Sequence, residues 1–161
     1  MAAIYRDQIE DGLGSYEDPL PDAAAMGRRL AALTAAGLPA FVAVDDEDGG
    51  VVGFTWASPF RERAHYRLTV EDSIHVHRRA RRHGVGEALL RRLIAACARR
   101  GCRQMVAVVG DARNRASVAL HEKLGFVPCG CFRGVGQRPG ETCDVVMLQR
   151  ELAGEPVPGT A

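Results

Sequence analysis

A segment rich in arginine and glycine, placed between a strand pattern and a helix pattern, constrains the fold of this chain most. It consists of Arg81-Arg82-His83-Gly84-Val85-Gly86. Before it, polar and apolar residues alternate over much of Thr69–Val76, and this pattern predicts a strand. After it, apolar residues recur with the helical period of about 3.6 residues until Gly101, which marks a helix end. A strand that leads directly into a helix predicts a domain of the α/β class.

The chemistry of this segment suits a pyrophosphate. The first turn of a helix has unpaired backbone N–H groups and the positive end of the helix dipole. Glycine lacks a Cβ, so an anion can approach these groups closely, and arginine adds directional donors. The dinucleotide pattern G-x-G-x-x-G is not met, because Leu89 stands at the third glycine. The alternatives are a solvated basic helix start and, less favoured, a nucleic-acid patch.

The remaining patterns give the order α, β-hairpin, β, α, β, α, β, β. Cap and turn residues set most of the boundaries, because Asp and Asn cap helices and Asp/Gly clusters form turns. The predicted elements are a helix over Ala23–Ala36 capped by Asp22, a hairpin of Ala40–Val44 and Val51–Trp56, a strand over Gln104–Val109, a short helix capped by Asn114, and final strands over Phe126–Val135 and Cys143–Leu148. The tail 153–161 is rich in Pro and Gly, and we expect it to be disordered.

The composition excludes several classes of protein. The chain has 161 residues, 47% hydrophobic and 25% charged, with a net charge of +1, as expected for one globular domain. No apolar stretch approaches the ~18 residues of a membrane span, and the sequence does not open with a secretion signal. We therefore expect a cytoplasmic protein that binds neither membranes nor nucleic acid. The five cysteines form no C-x-x-C pair, so we expect no metal site and interpret them as reduced packing residues, with a nucleophilic cysteine as the alternative.

A second motif follows the predicted strand Gln104–Val109. It consists of Asn114-x-x-Ser117-x-x-Leu120-His121-x-Lys123-Leu124-Gly125-Phe126. Asn114 and Ser117 are three residues apart, so a helix presents both on one face, where they can contact a ligand together. The other interpretation is an Asn cap beside a solvent-facing serine, and Asn114 can serve both purposes.

Together, the two motifs resemble the CoA-binding motifs of the GNAT acetyltransferase superfamily. A third segment, Arg63-x-x-Tyr66-x-x-Thr69-Val70-Glu71-x-Ser73, resembles the substrate and base segment of its phosphinothricin and methionine sulfoximine N-acetyltransferase branch. Ser15-Tyr16-Glu17, Val135-Gly136 and Asp144 are similar to this branch as well. The resemblance extends from Ile4 to Gln149.

The resemblance implies acetyl-CoA as co-substrate and no metal. It assigns the cofactor contacts to the end of the strand, to the glycine loop and to the short helix. The cofactor-binding residues that it implies are Ile74, His75, Val76, Arg81, Arg82, His83, Gly84, Val85, Gly86, Glu87, Asn114, Ser117 and Lys123.

The resemblance also implies two catalytic residues. An α-amino group with a pKa of about 8 is mostly protonated at neutral pH, so acetyl transfer to it needs a base, and the implied base is Glu71. The other interpretation of Glu71 is an exposed strand glutamate paired with Arg63 or Arg67. His121 stands where the superfamily often has a tyrosine, and it is the implied donor to the leaving CoA thiolate, with a packed polar residue as the alternative.

For the acceptor, the branch implies the substrate-binding residues Arg63, His65, Tyr66 and Tyr16. The planar guanidinium of Arg63 suits an oxyanion. The chain departs from the branch at Thr142, where a tryptophan is usual, and this change leaves the exact acceptor open.

The implied fold is a GNAT-type α/β domain over residues 1–152. We expect a mixed, mainly antiparallel sheet with helices on both faces and a central strand pair that splays near Glu71. Family members begin with a strand before the segment that matches Ala3–Asp7, and we expect this strand to be missing here. The family expectation is a homodimer, with the C-terminal hairpin as the interface.

The sequence thus predicts an acetyl-CoA-dependent N-acetyltransferase. Its expected acceptor is the α-amino group of a small amino acid or analogue, of the phosphinothricin, methionine sulfone or methionine sulfoximine type. Two alternatives stay open: an acetyltransferase for another small amine or a protein N-terminus, and a CoA-binding module without catalysis.

Overall fold

The computed structural model describes residues 1–10, 19–138 and 140–152. The predicted substrate residue Tyr16, its neighbours Ser15 and Glu17, and the tail 153–161 lie outside the described residues.

Helices and strands alternate along the described chain largely as the sequence predicts. The strands over Thr69–Val76 and Gln104–Val109 have the predicted bounds, whereas the final two strands extend further. The helices are α1 (Ala2–Glu10), α2 (Ala23–Ala35), α3 (Val85–Arg99) and α4 (Arg115–Lys123). The strands are β1 (Ala40–Val44), β2 (Val51–Pro59), β3 (Thr69–Val76), β4 (Gln104–Val109), β5 (Val127–Arg138) and β6 (Glu141–Glu151). Two short 3₁₀ turns cover Ala64–Tyr66 and Arg78–Ala80.

The predicted helix caps are confirmed. The Asp22 side chain accepts a hydrogen bond of 2.7 Å from the backbone N–H of Ala25 at the start of α2. The Asn114 side chain accepts one of 3.2 Å from the backbone N–H of Ser117 at the start of α4. Each cap satisfies an N–H group that the helix itself leaves unpaired.

The six strands form one mixed sheet in the order β1-β2-β3-β4-β6-β5. Only β3 and β4 are parallel, and the other neighbouring pairs are antiparallel. A parallel pair needs a crossover connection, and α3 provides it. The sheet is therefore mixed and mainly antiparallel, as predicted.

The parallel pair is short, and this shapes the molecule. β3 and β4 are in register only from Thr69 opposite Gln104 to Glu71 opposite Val106. Beyond this point the edge of β3 from Asp72 to Val76 has no strand partner on the β4 side among the described residues. The predicted splay near Glu71 is confirmed.

Helices cover both faces of the sheet, each over its own core. On one face Leu90, Leu93 and Cys97 of α3 pack with Met105 and Leu148. On the other face, the core consists of Ile4 and Tyr5 of α1, Met26 and Leu33 of α2, and Phe54 and Trp56 of β2. Because side chains alternate along a strand, β3 contributes to both layers, and this places its polar residues on two different faces.

The start of α3 requires left-handed backbone. Gly84 caps the helix with φ of +80°, and Arg82 has φ of +66°, a conformation that residues with a Cβ adopt only at a cost. These two residues turn the chain sharply between β3 and α3. The turn brings the unpaired N–H groups at the N-terminus of α3 to the open end of β3.

The five cysteines are all free. Cys97, Cys102 and Cys143 are buried, but Cys129 and Cys131 are exposed on β5. The interpretation of all five as packing residues was therefore wrong for these two, because β5 is an edge strand and its outer face is uncovered. In the described part of the chain, no helix has the length and apolar character needed to cross a membrane.

We predict opposite stability changes for two glycine-to-alanine substitutions. Gly84→Ala places a Cβ in open space but at positive φ, so we expect a loss of about 1–2 kcal/mol in the free energy of unfolding. Gly27→Ala lies inside α2 with open space around it, so we expect a gain of up to about 1 kcal/mol. Urea denaturation of both variants measures the difference, and equal signs would contradict the assignment of strain to Gly84.

Candidate active site

A cleft of about 1150 Å³ opens where β3 and β4 separate. β3 and the end of β4 form its floor, and the start of α3 and the length of α4 form one wall. Residues from α1, α2 and β2 form the other wall. We call this space the β3–β4 cleft. Ligands of open α/β sheets typically bind at such a point, beyond the carboxyl ends of strands.

Most of the predicted site residues line this cleft. They include both predicted catalytic residues, Glu71 and His121. The predicted cofactor-binding residues at the cleft are Ile74, His75, Val76, Arg81, Arg82, Gly84, Gly86, Glu87, Asn114, Ser117 and Lys123. His83 is exposed and outside the cleft lining, and Val85 packs toward Gly53 of β2 instead.

The glycine loop forms a tight, positively charged end of the cleft. A Cβ at Gly86 would lie 3.3 Å from Leu120 of α4 and 3.5 Å from Val76 of β3, so glycine allows α3, α4 and β3 to meet here. Arg81 donates a hydrogen bond of 3.4 Å to the Val76 carbonyl, and the Arg82 side chain also lines the cleft. Open backbone N–H groups, a helix dipole and two guanidinium groups together form an anion-binding arrangement.

An ion-pair network closes one side of this end of the cleft. Lys123 of α4 donates a hydrogen bond of 2.5 Å to Glu87 of α3, and Arg91 donates one of 2.8 Å to the same carboxylate. The pKa of Glu87 is held below its usual value by the hydrogen bonds from Lys123 and Arg91. Lys123 can therefore bind a phosphate only while it also pairs with the Glu87 carboxylate, or after it leaves that carboxylate.

Glu71 is the last residue of β3 that pairs with β4, and its half-buried side chain lines the cleft. Burial raises the pKa of its carboxyl, the negative charge of Asp72 raises it further, and the positive charge of Arg61 opposes both. A carboxylate with a raised pKa is a better proton acceptor near neutral pH than an ordinary glutamate. The geometry and the electrostatics of Glu71 both suit a general base.

His121 pairs with Asp72 inside the protein. Its Nε2–H donates to the Asp72 carboxylate at 3.1 Å, and its Nδ1–H donates to the Ser117 carbonyl at 2.7 Å. Both partners are acceptors, so both ring nitrogens carry a proton and the ring has a single positive charge when Asp72 is ionised. Burial lowers the pKa of His121, but the hydrogen bond and charge of Asp72 outweigh it and the net shift is upward. The second Asp72 oxygen is buried without a hydrogen-bond partner among the described residues.

This ion pair fastens α4 to β3 just beyond the splay. Asp72 and His121 are 49 residues apart in sequence, and neither motif indicated their contact. Because both N–H groups of His121 are already used, donation to a leaving thiolate requires one of them to leave its present partner. The role of His121 as a proton donor stays a prediction.

On the opposite face, His75 is buried in an aromatic cluster. Its ring lies 4.8 Å from Phe54, 4.9 Å from Tyr5 and 5.7 Å from Trp56, measured between ring centroids. Its Nδ1–H donates to the Gln8 side chain at 2.6 Å, and Gln8 donates in turn to the Val76 carbonyl at 3.3 Å. Burial, with a smaller contribution from the Arg29 charge, lowers the pKa of His75 to about 3. His75 is therefore neutral at physiological pH.

Three of the predicted substrate residues are not at the cleft. Arg63 and Tyr66 line a separate cavity of about 530 Å³ with Arg61 and Glu62, and His65 lines neither cavity. Arg61, which lines this second cavity, acts on the Glu71 carboxyl through its positive charge. The roles of Arg63, His65 and Tyr66 in acceptor binding stay predictions. Sequence reasoning instead missed Arg29, Trp56 and Gln8, which line the cleft from α2, β2 and α1.

The splayed sheet, the anion-binding helix start and the carboxylate at the point of divergence define a GNAT-type N-acetyltransferase. Residues 1–126 match the Acetyltransferase (GNAT) family, and the chain belongs to this family. It is 41% identical to phosphinothricin N-acetyltransferase from Alcaligenes faecalis, over 94% of this chain and 76% of the relative. It is 33% identical to L-methionine sulfoximine/L-methionine sulfone acetyltransferase from Pseudomonas paraeruginosa, over 94% and 87%.

A solved structure has the same fold. The GNAT superfamily phosphinothricin acetyltransferase from Sinorhizobium meliloti, determined in complex with AcCoA, superimposes with a TM-score of 0.90 at 40% identity. The similarity covers 98% of this chain and 86% of that one. The chain is thus an N-acetyltransferase with phosphinothricin acetyltransferase-like relatives, and the interpretation as a module without catalysis is not favoured.

We predict that His75 makes the fold sensitive to acid. Between its unfolded pKa of 6.5 and its folded value of about 3, the unfolded state binds a proton that the folded state does not, so stability falls as the pH falls. From about pH 7 to about pH 5 this group alone should cost about 2 kcal/mol. Chemical denaturation of wild type and His75→Asn at both pH values should show this loss only in wild type. The matched variant His83→Asn changes an exposed histidine and should keep the wild-type dependence.

Proposed function

We propose that this enzyme transfers an acetyl group from acetyl-CoA directly to the α-amino group of a small amino acid or analogue. Phosphinothricin, methionine sulfone and methionine sulfoximine represent the proposed acceptor class. The observation that carries the proposal is the position of Glu71, a carboxylate with a raised pKa at the point where β3 and β4 diverge. The names of the relatives support the same acceptor class.

The residues of the cleft fit acetyl-CoA. The N-terminus of α3, with Arg81 and Arg82, would hold the pyrophosphate, and Asn114 and Ser117 line the adjoining wall of α4. The edge of β3 from Asp72 to Val76 has no strand partner on the β4 side among the described residues, and it offers backbone groups to an extended pantetheine arm. Bound there, acetyl-CoA supplies an acetyl group activated as a thioester.

Glu71 would accept the proton that the acceptor amine loses, either directly or through one water molecule. Burial and the charge of Asp72 hold its pKa above that of an ordinary glutamate, which strengthens the carboxylate as a proton acceptor. The neutral His75 and the aromatic rings beside it form a buried cluster on the same face of β3 as Glu71. This environment favours the uncharged, reactive form of the amine.

His121 is proposed to act on the departing thiolate through its positive charge. The imidazolium is held at one place by Asp72 and Ser117, so it needs no rearrangement when negative charge develops nearby. His121 could donate a proton to the thiolate only if its Nε2–H broke the hydrogen bond to Asp72 and turned to the sulfur instead.

We also propose a homodimer through the C-terminal hairpin. β5 is an edge strand, and it exposes Val127 (63%), Phe132 (57%) and Val135 (59%). An uncovered edge strand with exposed large apolar side chains is the kind of surface that pairs with another chain. A second copy would cover these residues.

We predict that Glu71→Gln lowers kcat/KM by about 10²–10⁴-fold, the usual contribution of a general base, without changing acetyl-CoA binding. For wild type, kcat/KM should rise with pH through the raised pKa of Glu71, and Glu71→Gln should lack this rise. Steady-state assays with phosphinothricin and methionine sulfone, together with calorimetric binding of acetyl-CoA, test both points. Glu122→Gln, on the exposed face of α4, is the matched control with expected wild-type activity. Full activity of Glu71→Gln would reject the proposed base.

We predict that Phe132→Asp disrupts the dimer. Sedimentation should give twice the chain mass of 17.3 kDa for wild type and 17.3 kDa for the variant. Val42→Asp replaces an exposed apolar residue on β1, at the opposite edge of the sheet, and should leave the mass unchanged. A monomeric wild type, or a Phe132→Asp variant as dimeric as wild type, would argue against this interface.

A further inference from the structure

The wall of the cleft on the α2 side carries a cation that neither motif indicates. Arg29 of α2 is half-buried and lines the cleft, and its positive charge contributes to the lowered pKa of His75. Its guanidinium carbon lies 5.6 Å from the centroid of the Trp56 ring, over the ring face. Trp56 is itself buried and stacks on Phe54 with a centroid distance of 5.4 Å. The aromatic pair is therefore a rigid platform that holds the guanidinium in the cleft.

The strand register places this platform next to Glu71. Trp56 of β2 is opposite Ser73 of β3, and Ser58 is opposite Glu71. Successive pairs of this kind share one face of the sheet and are about 7 Å apart along the strands. The guanidinium is thus held over the pair adjacent to that of Glu71, on the same face. A small amino acid spans a gap of this size between its amine and an anionic group.

The other cations at the cleft belong to its opposite end. Among the described residues that line it, the other arginines and the lysine are Arg81, Arg82 and Lys123, which lie at the start of α3 and the end of α4, and His121 is paired with Asp72 on the other face of β3. That end is proposed for the cofactor phosphates. Within the described lining, Arg29 is the arginine on the α2 side, where the acceptor would enter, and Arg61, whose charge acts on Glu71, lies outside that lining.

We propose that Arg29 determines acceptor specificity by binding an anionic group of the acceptor, a carboxylate or a phosphinate, while the acceptor amine lies at Glu71. The inference rests on the proposed function and deepens it, because it names the group that selects amino acids over simple amines. A guanidinium donates two parallel hydrogen bonds to two oxygens of such an anion, and the Trp56 platform fixes their direction. In this proposal, Arg29 binds the anionic group of the acceptor, a role that the sequence resemblance assigns to Arg63.

The test compares four acceptors on wild type and Arg29→Gln. Methionine sulfone carries a carboxylate, and its carboxamide carries no anion. Phosphinothricin carries a carboxylate and a phosphinate, and its carboxamide keeps only the phosphinate. For Arg29→Gln we expect kcat/KM to fall about 10- to 100-fold with phosphinothricin, mainly through KM, and to be unchanged with methionine sulfone carboxamide, which has no anion. A loss that persists with phosphinothricin carboxamide and is absent with methionine sulfone assigns the contact to the phosphinate. A loss that is present with methionine sulfone and absent with both carboxamides assigns it to the carboxylate.

Further variants separate recognition from folding. Arg28→Gln changes the neighbouring exposed arginine, which is not part of the cleft lining, and should behave as wild type. Arg29→Lys keeps the charge but not the planar fork, so part of the loss should remain. The melting temperature and the Kd for acetyl-CoA of Arg29→Gln should stay close to wild type. Stabilisation against heat by phosphinothricin in the presence of CoA should be lost, which reports acceptor binding without turnover.

Two different failures are distinguishable. If wild type acetylates these amino acids and Arg29→Gln loses as much activity with methionine sulfone carboxamide, which has no anion, as with the anionic acceptors, or loses none with any acceptor, the role of Arg29 is rejected while the proposed function stands. If wild type acetylates none of the four acceptors, or only the methionine sulfone carboxamide, the proposed function fails and the role of Arg29 fails with it.

Discussion

The divergence of β3 and β4 after Glu71 is the constraint on which the rest of the site depends. Buried backbone groups need hydrogen-bond partners, and a strand edge left open from Asp72 to Val76 must find them outside the sheet. At the Val76 carbonyl, Gln8 and Arg81 donate from two different elements. The remaining edge faces the cleft, where an extended ligand can pair with it. The same divergence leaves room for the N-terminus of α3 to point its unpaired N–H groups into the opening.

The alternation of β3 then divides the chemistry between two faces. Glu71, Ser73 and His75 face α1 and α2, where buried aromatic rings surround the neutral His75. Asp72 faces α3 and α4, where its ion pair with His121 holds α4 against the strand. The adjacent carboxylates Glu71 and Asp72 thus have different partners. Asp72 pairs with His121, and its negative charge, on the other face of the strand, raises the pKa of Glu71.

Local chemistry explains why the sequence predicted much of this site. The glycine loop, the Asn114 cap and the bounds of β3 and β4 depend on residues that are close in sequence, so local sequence patterns predict them. The contacts of His75 with Gln8 and of His121 with Asp72 join residues 67 and 49 positions apart, and nothing in local spacing indicates them. Arg29 was missed for the same reason, because α2 carries no motif and only its docking over Trp56 brings it to the cleft. Arg63, which the resemblance assigns to the acceptor, lines a second cavity in the loop after β2, and its role stays a prediction.

A crystal structure of the enzyme with CoA and methionine sulfone would test most directly whether the divergence of β3 and β4 creates the reaction centre. We expect the pantetheine arm to run along the open edge of β3 between Asp72 and Val76, with the pyrophosphate at the N-terminus of α3. The amine of the sulfone should lie within hydrogen-bond reach of the Glu71 carboxylate, directly or through one water molecule, and near the CoA sulfur. A CoA molecule bound outside the β3–β4 cleft, or an acceptor amine that does not approach Glu71, would contradict this assignment.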